Sequence, residues 1–151
     1  MLLESGFIHA FAHVLDDVTG MHQLRVAELL LVFAIDLGVG FYRKMQVENA
    51  AQAGAQYAAV NGFNASAVSS AVLSATNFSG ITASPAPSQF CGCPSSTGVT
   101  IAASCSSACS GGSAAGTYVA VSAQGTYSPL FSYPGIPSSY NFTAQATVRV
   151  Q

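Results

Sequence analysis

Charge is what this sequence has least of. Only 7% of its 151 residues are charged, whereas average soluble domains carry about 25%. Between Glu48 and Arg149 the chain contains no Asp, Glu, Lys, Arg or His. These are too few charges for a typical cytosolic surface.

The missing charges also exclude two classes of function. Acid–base catalysis, metal-dependent hydrolysis and catalytic triads all need a side chain that titrates near neutral pH. The distal part of the chain offers only Ser, Thr, Tyr, Asn, Gln and Cys. Nucleic-acid binding needs clustered Lys or Arg, and the net charge here is −2. We therefore predict a protein that is not an enzyme, uses no cofactor and binds no nucleic acid.

Residues 1–23 lack the positive start, the uninterrupted apolar core and the small-residue cleavage site of a secretory signal. We treat them as an unassigned leader, for which disorder and a wrong translation start are both open. His9 and His13 stand four apart, but no third ligand lies nearby, so no metal site is predicted.

A long helix is predicted from Leu24 to Val60, where the sequence has no proline. About 37 residues would make a helix of roughly 55 Å, which is longer than the hydrocarbon of a bilayer. Its first half, residues 24–42, is apolar enough to suggest a membrane segment. Asp36 lies within it, and an acidic group near mid-membrane costs roughly 2.5–3.5 kcal/mol.

Asp36 is therefore expected to face a partner on a neighbouring helix. Gly38 and Gly40 would let that helix approach closely. The alternative is that 24–42 is a buried helix of a soluble bundle, with Asp36 at its wet edge.

The second half of the long helix repeats small residues at a spacing of four, at Ala50, Gly54 and Ala58. Such a row lies along one helix face and permits close contact with another helix. Alanine is also simply the best helix former, which is the alternative explanation. On the first interpretation, Gly54→Leu is expected to weaken assembly while the head stays folded.

The head, residues 61–151, is predicted to be α+β. Asn61-Gly62 should end the long helix, and Asn64 or Ser66 can cap a short second helix. Alternating stretches bounded by Gly, Ser and Pro then predict three or four antiparallel strands. These stretches are 81–83, 99–103, 118–127 and 142–150.

The segment between the last two predicted strands, YSPLFSYPGIPSSY, is a candidate contact loop because it combines three prolines with several aromatic residues. Packing of these aromatics against their own sheet is the alternative. The candidate contact residues are Tyr127, Phe131, Tyr133 and Tyr140.

Four cysteines fall close together, at Cys91, Cys93, Cys105 and Cys109. An even, clustered set in a charge-poor domain indicates disulfides formed in an oxidising compartment. A bridge within Cys-x-Cys would close a very tight ring, so each of the first two should pair with one of the last two. The pattern can be nested or crossed. Zinc is disfavoured because Cys-x-Cys is tighter than usual ligand spacing.

The run LLLVFAIDLGVGFYRKMQVENAAQAGAQYAAV resembles the N-terminal region of TadE-like proteins, which are minor pilin-like components of bacterial tight-adherence pilus systems. The matching features are Asp36 before Gly38, the Phe41-Tyr42 pair and the segment from Gln46 to Ala58. The resemblance covers roughly residues 29–151. It implies a protein anchored in the bacterial inner membrane with its head outside the cytoplasm. Its implied partners are other pilin-like subunits and the pilus assembly machinery, in homo- or hetero-oligomers formed through the long helix.

Arg43 and Lys44 point to the opposite orientation, because cations beside a membrane segment tend to remain in the cytoplasm. The cysteines and the scarcity of charge favour an extracytoplasmic head, and we adopt that orientation. The predicted function is structural association in pilus assembly or secretion. The alternative is a tethered extracellular module that mediates adhesion or binds carbohydrate.

Overall fold

The computed structural model describes the backbone of residues 4–131 and 135–150, and the side chains within those ranges from Arg25 onward. The chain forms two compact units, Met1–Val39 and Gly40–Gln151. The predicted α+β class is confirmed, with a long helix, a short helix and an antiparallel sheet. The elements are α1 (Glu4–Asn61), α2 (Ala65–Ser74), β1 (Ile81–Thr82), β2 (Ser88–Ser95), β3 (Gly98–Ile101), β4 (Gly116–Tyr127) and β5 (Tyr140–Val150).

The long helix α1 begins at Glu4, well before the predicted start at Leu24. No proline occurs before Pro85, and the helix continues through the glycines of this part of the chain. At its other end the helix stops where the sequence predicts. Gly62 adopts a φ of 78°, and its N–H donates to the carbonyl of Ala58 at 3.0 Å. This left-handed glycine is the usual way to end a helix.

The short helix α2 is capped by Asn64, whose side-chain oxygen accepts a hydrogen bond from the N–H of Ala67 at 3.1 Å. Of the two predicted caps, Asn64 is thus the one used, and Ser66 instead donates its hydroxyl to the Asn64 side chain. Val68 and Val72 form the buried face of α2.

The sheet is antiparallel and has five strands, in which β4 is central. One side of β4 pairs with the whole of β5, from Thr117↔Val150 to Tyr127↔Tyr140. The other side of β4 pairs with β2 and, further along, with β1. Strand β3 then pairs with β2. Five strands are one more than the largest number predicted, and β2 is the strand for which no bounds are predicted from the sequence.

The core of the second unit is built between α1, α2 and β4. Fully buried residues come from all three elements: Val47, Ala50, Ala58, Val68, Val72, Val119 and Val121. The second half of the long helix therefore belongs to the same compact unit as the head. This arrangement covers one face of the sheet and leaves a row of Thr, Gln and Asn side chains on the opposite face of β5.

Candidate association surfaces

The first candidate surface is the apolar segment, which we define as residues 26–37 of α1. Six large apolar side chains in it are about half or more exposed. They are Val26, Leu29, Leu30, Leu31, Ile35 and Leu37. At about 100° per residue they spread over roughly two-thirds of the helix circumference. Such a helix normally lies in lipid or inside a larger helical assembly.

Two of the predicted association residues lie in or next to this segment and differ in their surroundings. Asp36 is buried, with 4% of its surface exposed. A Cβ placed on Gly38 would meet no atom within 4 Å, so the helix surface is open there. Gly38 therefore offers the space for close approach that the sequence predicts.

Gly40 already has a close neighbour in its own chain. A Cβ placed on it would lie 3.3 Å from Cε1 of Tyr127. The absence of a side chain at Gly40 thus makes room for the end of β4. This contact was not anticipated from the sequence, because nothing in the local pattern connects residue 40 with residue 127.

The predicted membrane segment at residues 24–42 requires a helix with a long apolar stretch. Within residues 4–131 and 135–150, no helix has a stretch sufficiently long and apolar to cross a membrane.

The row of small residues at Ala50, Gly54 and Ala58 is packed inside the second unit. Ala50 and Ala58 have no exposed surface. A Cβ on Gly54 would lie 2.5 Å from Cγ2 of Val72 and 2.8 Å from Cγ1 of Val121. The close approach that this row permits is therefore made within one chain, by α2 and β4. A contact between this row and another subunit stays a prediction.

Arg43 and Lys44, the two cations that follow the apolar segment, make different contacts. The guanidinium of Arg43 lies 4.4 Å above the ring of Phe78, and its Nη1 donates to Oε1 of Gln46 at 3.0 Å. Lys44 forms an exposed ion pair of 3.8 Å with Glu48. Arg43 is therefore engaged by the packing of the second unit, while the surface pair contributes little to stability.

The candidate contact loop is only partly exposed. Tyr127 is buried, and its ring stacks on that of Phe142 with centroids 6.4 Å apart. Phe131 and Tyr140 are 54% and 37% exposed. Tyr133 lies outside the residues that the structure describes. Tyr127 thus follows the alternative interpretation, in which the aromatic ring packs on its own sheet, and Phe131 and Tyr140 remain available for contacts.

The four cysteines form two disulfides, as predicted. Cys91 bonds to Cys105 and Cys93 bonds to Cys109, so the bridges are crossed and not nested. Cys91 and Cys93 lie two apart on β2 and therefore share one face of the strand. Together the bridges fasten the segment after β3, including the turn near Cys109, to that face.

A shallow pocket of about 480 Å³ lies at the end of the sheet, lined by Ala115, Gly116, Thr117, Arg149 and Val150. The guanidinium of Arg149 lies against Gly116, where an added Cβ would come within 2.7 Å of its Nε. The pocket offers one fixed positive charge and no general base or nucleophile pair. Among the described side chains there is also no cluster of three His, Cys, Asp or Glu residues suited to a metal ion.

None of the family models, curated proteins or solved structures compared with the chain matches it. The function of the chain must therefore be inferred from its own surfaces. These surfaces suit association: an exposed apolar segment, a disulfide-bonded sheet and partly exposed aromatic side chains.

Proposed function

We propose that this chain is a non-enzymatic, pilin-like component of a tight-adherence pilus assembly or secretion system in bacteria. The apolar segment would hold it in the inner membrane, and the head would lie outside the cytoplasm. The observation that carries the proposal is the set of exposed aliphatic side chains from Val26 to Leu37. A surface of this kind is unfavourable in water and marks a site of contact with lipid or protein.

The chemistry of the head supports the extracytoplasmic side. Two disulfides need an oxidising compartment such as the periplasm. The head has no charged residue before Arg149, which is a poor composition for solubility among cytosolic proteins. The packing of Arg43 on Phe78 also weakens the opposing argument from the positive-inside tendency, since that guanidinium already has a role in the fold.

The resemblance of residues 29–151 to TadE-like proteins supports the choice of a tight-adherence pilus system. The proposed mechanism is association with other pilin-like subunits through the apolar segment. Gly38 gives a neighbouring helix space to approach, and Asp36 contributes a polar group inside an otherwise apolar region.

Protease protection in bacteria tests this proposal. The full chain, carrying a C-terminal epitope, is expressed in a bacterium that has a tight-adherence system, and membranes are separated from soluble proteins. We expect the epitope in the membrane fraction. Protease added to spheroplasts should remove it, while a cytoplasmic marker protein stays intact.

Two further results would refute the proposal. One is a head whose cysteines react with a thiol reagent in intact cells, because the proposed compartment keeps them oxidised. The other is recovery of the chain without any pilus assembly protein after mild cross-linking and purification from detergent.

A second candidate function, adhesion or carbohydrate binding, is favoured by the exposure of Phe131 and Tyr140. Aromatic faces can stack on sugar rings. If this function applies, the purified chain should bind particular glycans on an array, and Phe131→Ala should remove that binding. The absence of any glycan signal would leave pilus assembly as the better proposal.

A further inference from the structure

Strand β5 forms a long free edge of the sheet. Eleven consecutive residues, from Tyr140 to Val150, pair with β4 in one unbroken antiparallel register. On its other side, β5 has no neighbouring strand among the described residues. The backbone N–H and C=O groups of alternate residues in β5 therefore point outward from the edge, within the plane of the sheet. Another strand can form hydrogen bonds with them there.

The usual protections of a sheet edge are missing from β5. The strand contains no proline and no lysine, and its register with β4 shows no bulge. Its one charged residue, Arg149, lies next to its end. The opposite edge, β3, has only four residues. A short length, charged residues and proline all discourage pairing at a sheet edge. Strand β5 is long, contains no proline and carries its one charge next to its end.

We propose that β5 is an interaction surface that pairs antiparallel with β5 of a second copy of this chain, with the two-fold axis at Gln145. This register places Phe142 opposite Val148 and Thr143 opposite Thr147 of the other copy. Aromatic–aliphatic and Thr–Thr pairs are both favourable across antiparallel strands. The two surfaces are identical, as a two-fold interface requires.

Charge and burial both favour a second copy as the occupant. Arg149 falls opposite Asn141 in this register, which keeps the two arginines apart. Phe142, Ala144, Ala146 and Val148 are partly buried against the core and still have exposed surface. In the paired dimer, this apolar row lies beside the same row of the other copy, so the apolar faces of the two sheets become continuous. A foreign strand would need to reproduce both rows.

Charged residues introduced at Thr143 and Thr147 test this register. Both side chains are exposed on the face away from α1, and their neighbours on β4 are Gln124 and Ala120. In Thr143→Lys/Thr147→Lys, each lysine would face a lysine of the other copy. In Thr143→Glu/Thr147→Lys, each glutamate would face a lysine. The two variants introduce charges at the same positions, so the second is a matched control for the first.

The measurement is sedimentation equilibrium of the full chain in detergent, with circular dichroism to verify that each variant is folded. We expect the unchanged chain and the Glu/Lys variant to dimerise. The dissociation constant of the Lys/Lys dimer should be at least about fivefold higher than that of the Glu/Lys dimer. A monomeric unchanged chain would overturn the proposal. Equal association of the two variants would also overturn it, because contacts through the apolar segment do not distinguish them.

Discussion

Gly54 lies on α1 between Val72 of α2 and Val121 of β4, with no space for a side chain at its Cα. The neighbouring small residues Ala50 and Ala58 are buried at the same interface. Spacing in the sequence identifies this row because small residues recur on one helix face. The same spacing serves a neighbouring helix of another subunit equally well, so the sequence alone could not tell which element occupies the space.

Gly54→Ala is expected to destabilise the second unit by about 1–3 kcal/mol, because the added methyl overlaps two valine side chains in a closely packed core. The earlier expectation that Gly54→Leu leaves the head folded is therefore replaced by loss of stability. The measurement is the free energy of unfolding of the full chain in detergent, obtained with a chemical denaturant.

Gly38→Ala is the matched control for that substitution. No atom lies within 4 Å of the added Cβ, and alanine is favoured over glycine inside a helix by up to about 1 kcal/mol. Its stability should be unchanged or higher. If Gly54→Ala behaves like Gly38→Ala, the packing of α1 against α2 and β4 is not as described.

Among the elements, β4 and β5 are predicted nearly to their observed bounds, because both alternate in places and are bounded by Gly, Ser and Pro. Strand β2 is missed because Gly92 and Pro94 interrupt its pattern. Its pairing with β4 on one side and β3 on the other maintains the strand in spite of these residues. The pairing with β4 comes from a distant part of the chain and leaves no local signal in the sequence.

The two disulfides act on the element β2 and the segment after β3. The bridges close loops with sequence separations of 14 and 16 residues. Removal of one bridge, as in Cys91→Ser/Cys105→Ser, is expected to lower the free energy of unfolding by about 3 kcal/mol, because the unfolded chain gains conformational freedom.

The paired variant Cys93→Ser/Cys109→Ser should lose a similar amount, since its loop is nearly the same length. Equilibrium denaturation of the oxidised proteins under non-reducing conditions measures both. A variant that unfolds at the same denaturant concentration as the unchanged chain would show that its bridge does not constrain the unfolded state.

For the whole molecule, the sequence predicts a long helix, a short helix and a sheet, and these elements occur in that order. The predicted head begins at residue 61, whereas the second compact unit begins at Gly40. Residues from Val47 to Ala58 contribute to its core. Helix length and apolar content can be read from the sequence, but the assignment of half a helix to a distant sheet requires long-range contacts.

Leu30→Arg is expected to reduce membrane association of the full chain, because Leu30 is 63% exposed in the apolar segment. Arginine in place of leucine near the centre of a membrane helix costs roughly 3 kcal/mol, which corresponds to a loss of membrane affinity of about a hundredfold. Flotation of the protein with lipid vesicles in a density gradient measures the bound fraction.

Gln56→Arg introduces the same charge at an exposed position of α1 outside the apolar segment. This variant should float with vesicles as the unchanged chain does. Equal flotation of Leu30→Arg and Gln56→Arg would show that the apolar segment does not bind lipid, and the proposed anchoring would then have to be abandoned.

Both bridges join β2 to the segment after β3, and this determines what happens when the chain is cut between them. A proteolytic nick anywhere between Cys93 and Cys105 would leave both bridges joining the two fragments, because each bridge connects one side of the cut to the other. Strand β3 and its turns lie inside this interval, so cleavage there would release no piece of the protein. On a non-reducing gel the nicked protein would migrate as one species, and it would separate into two only after reduction.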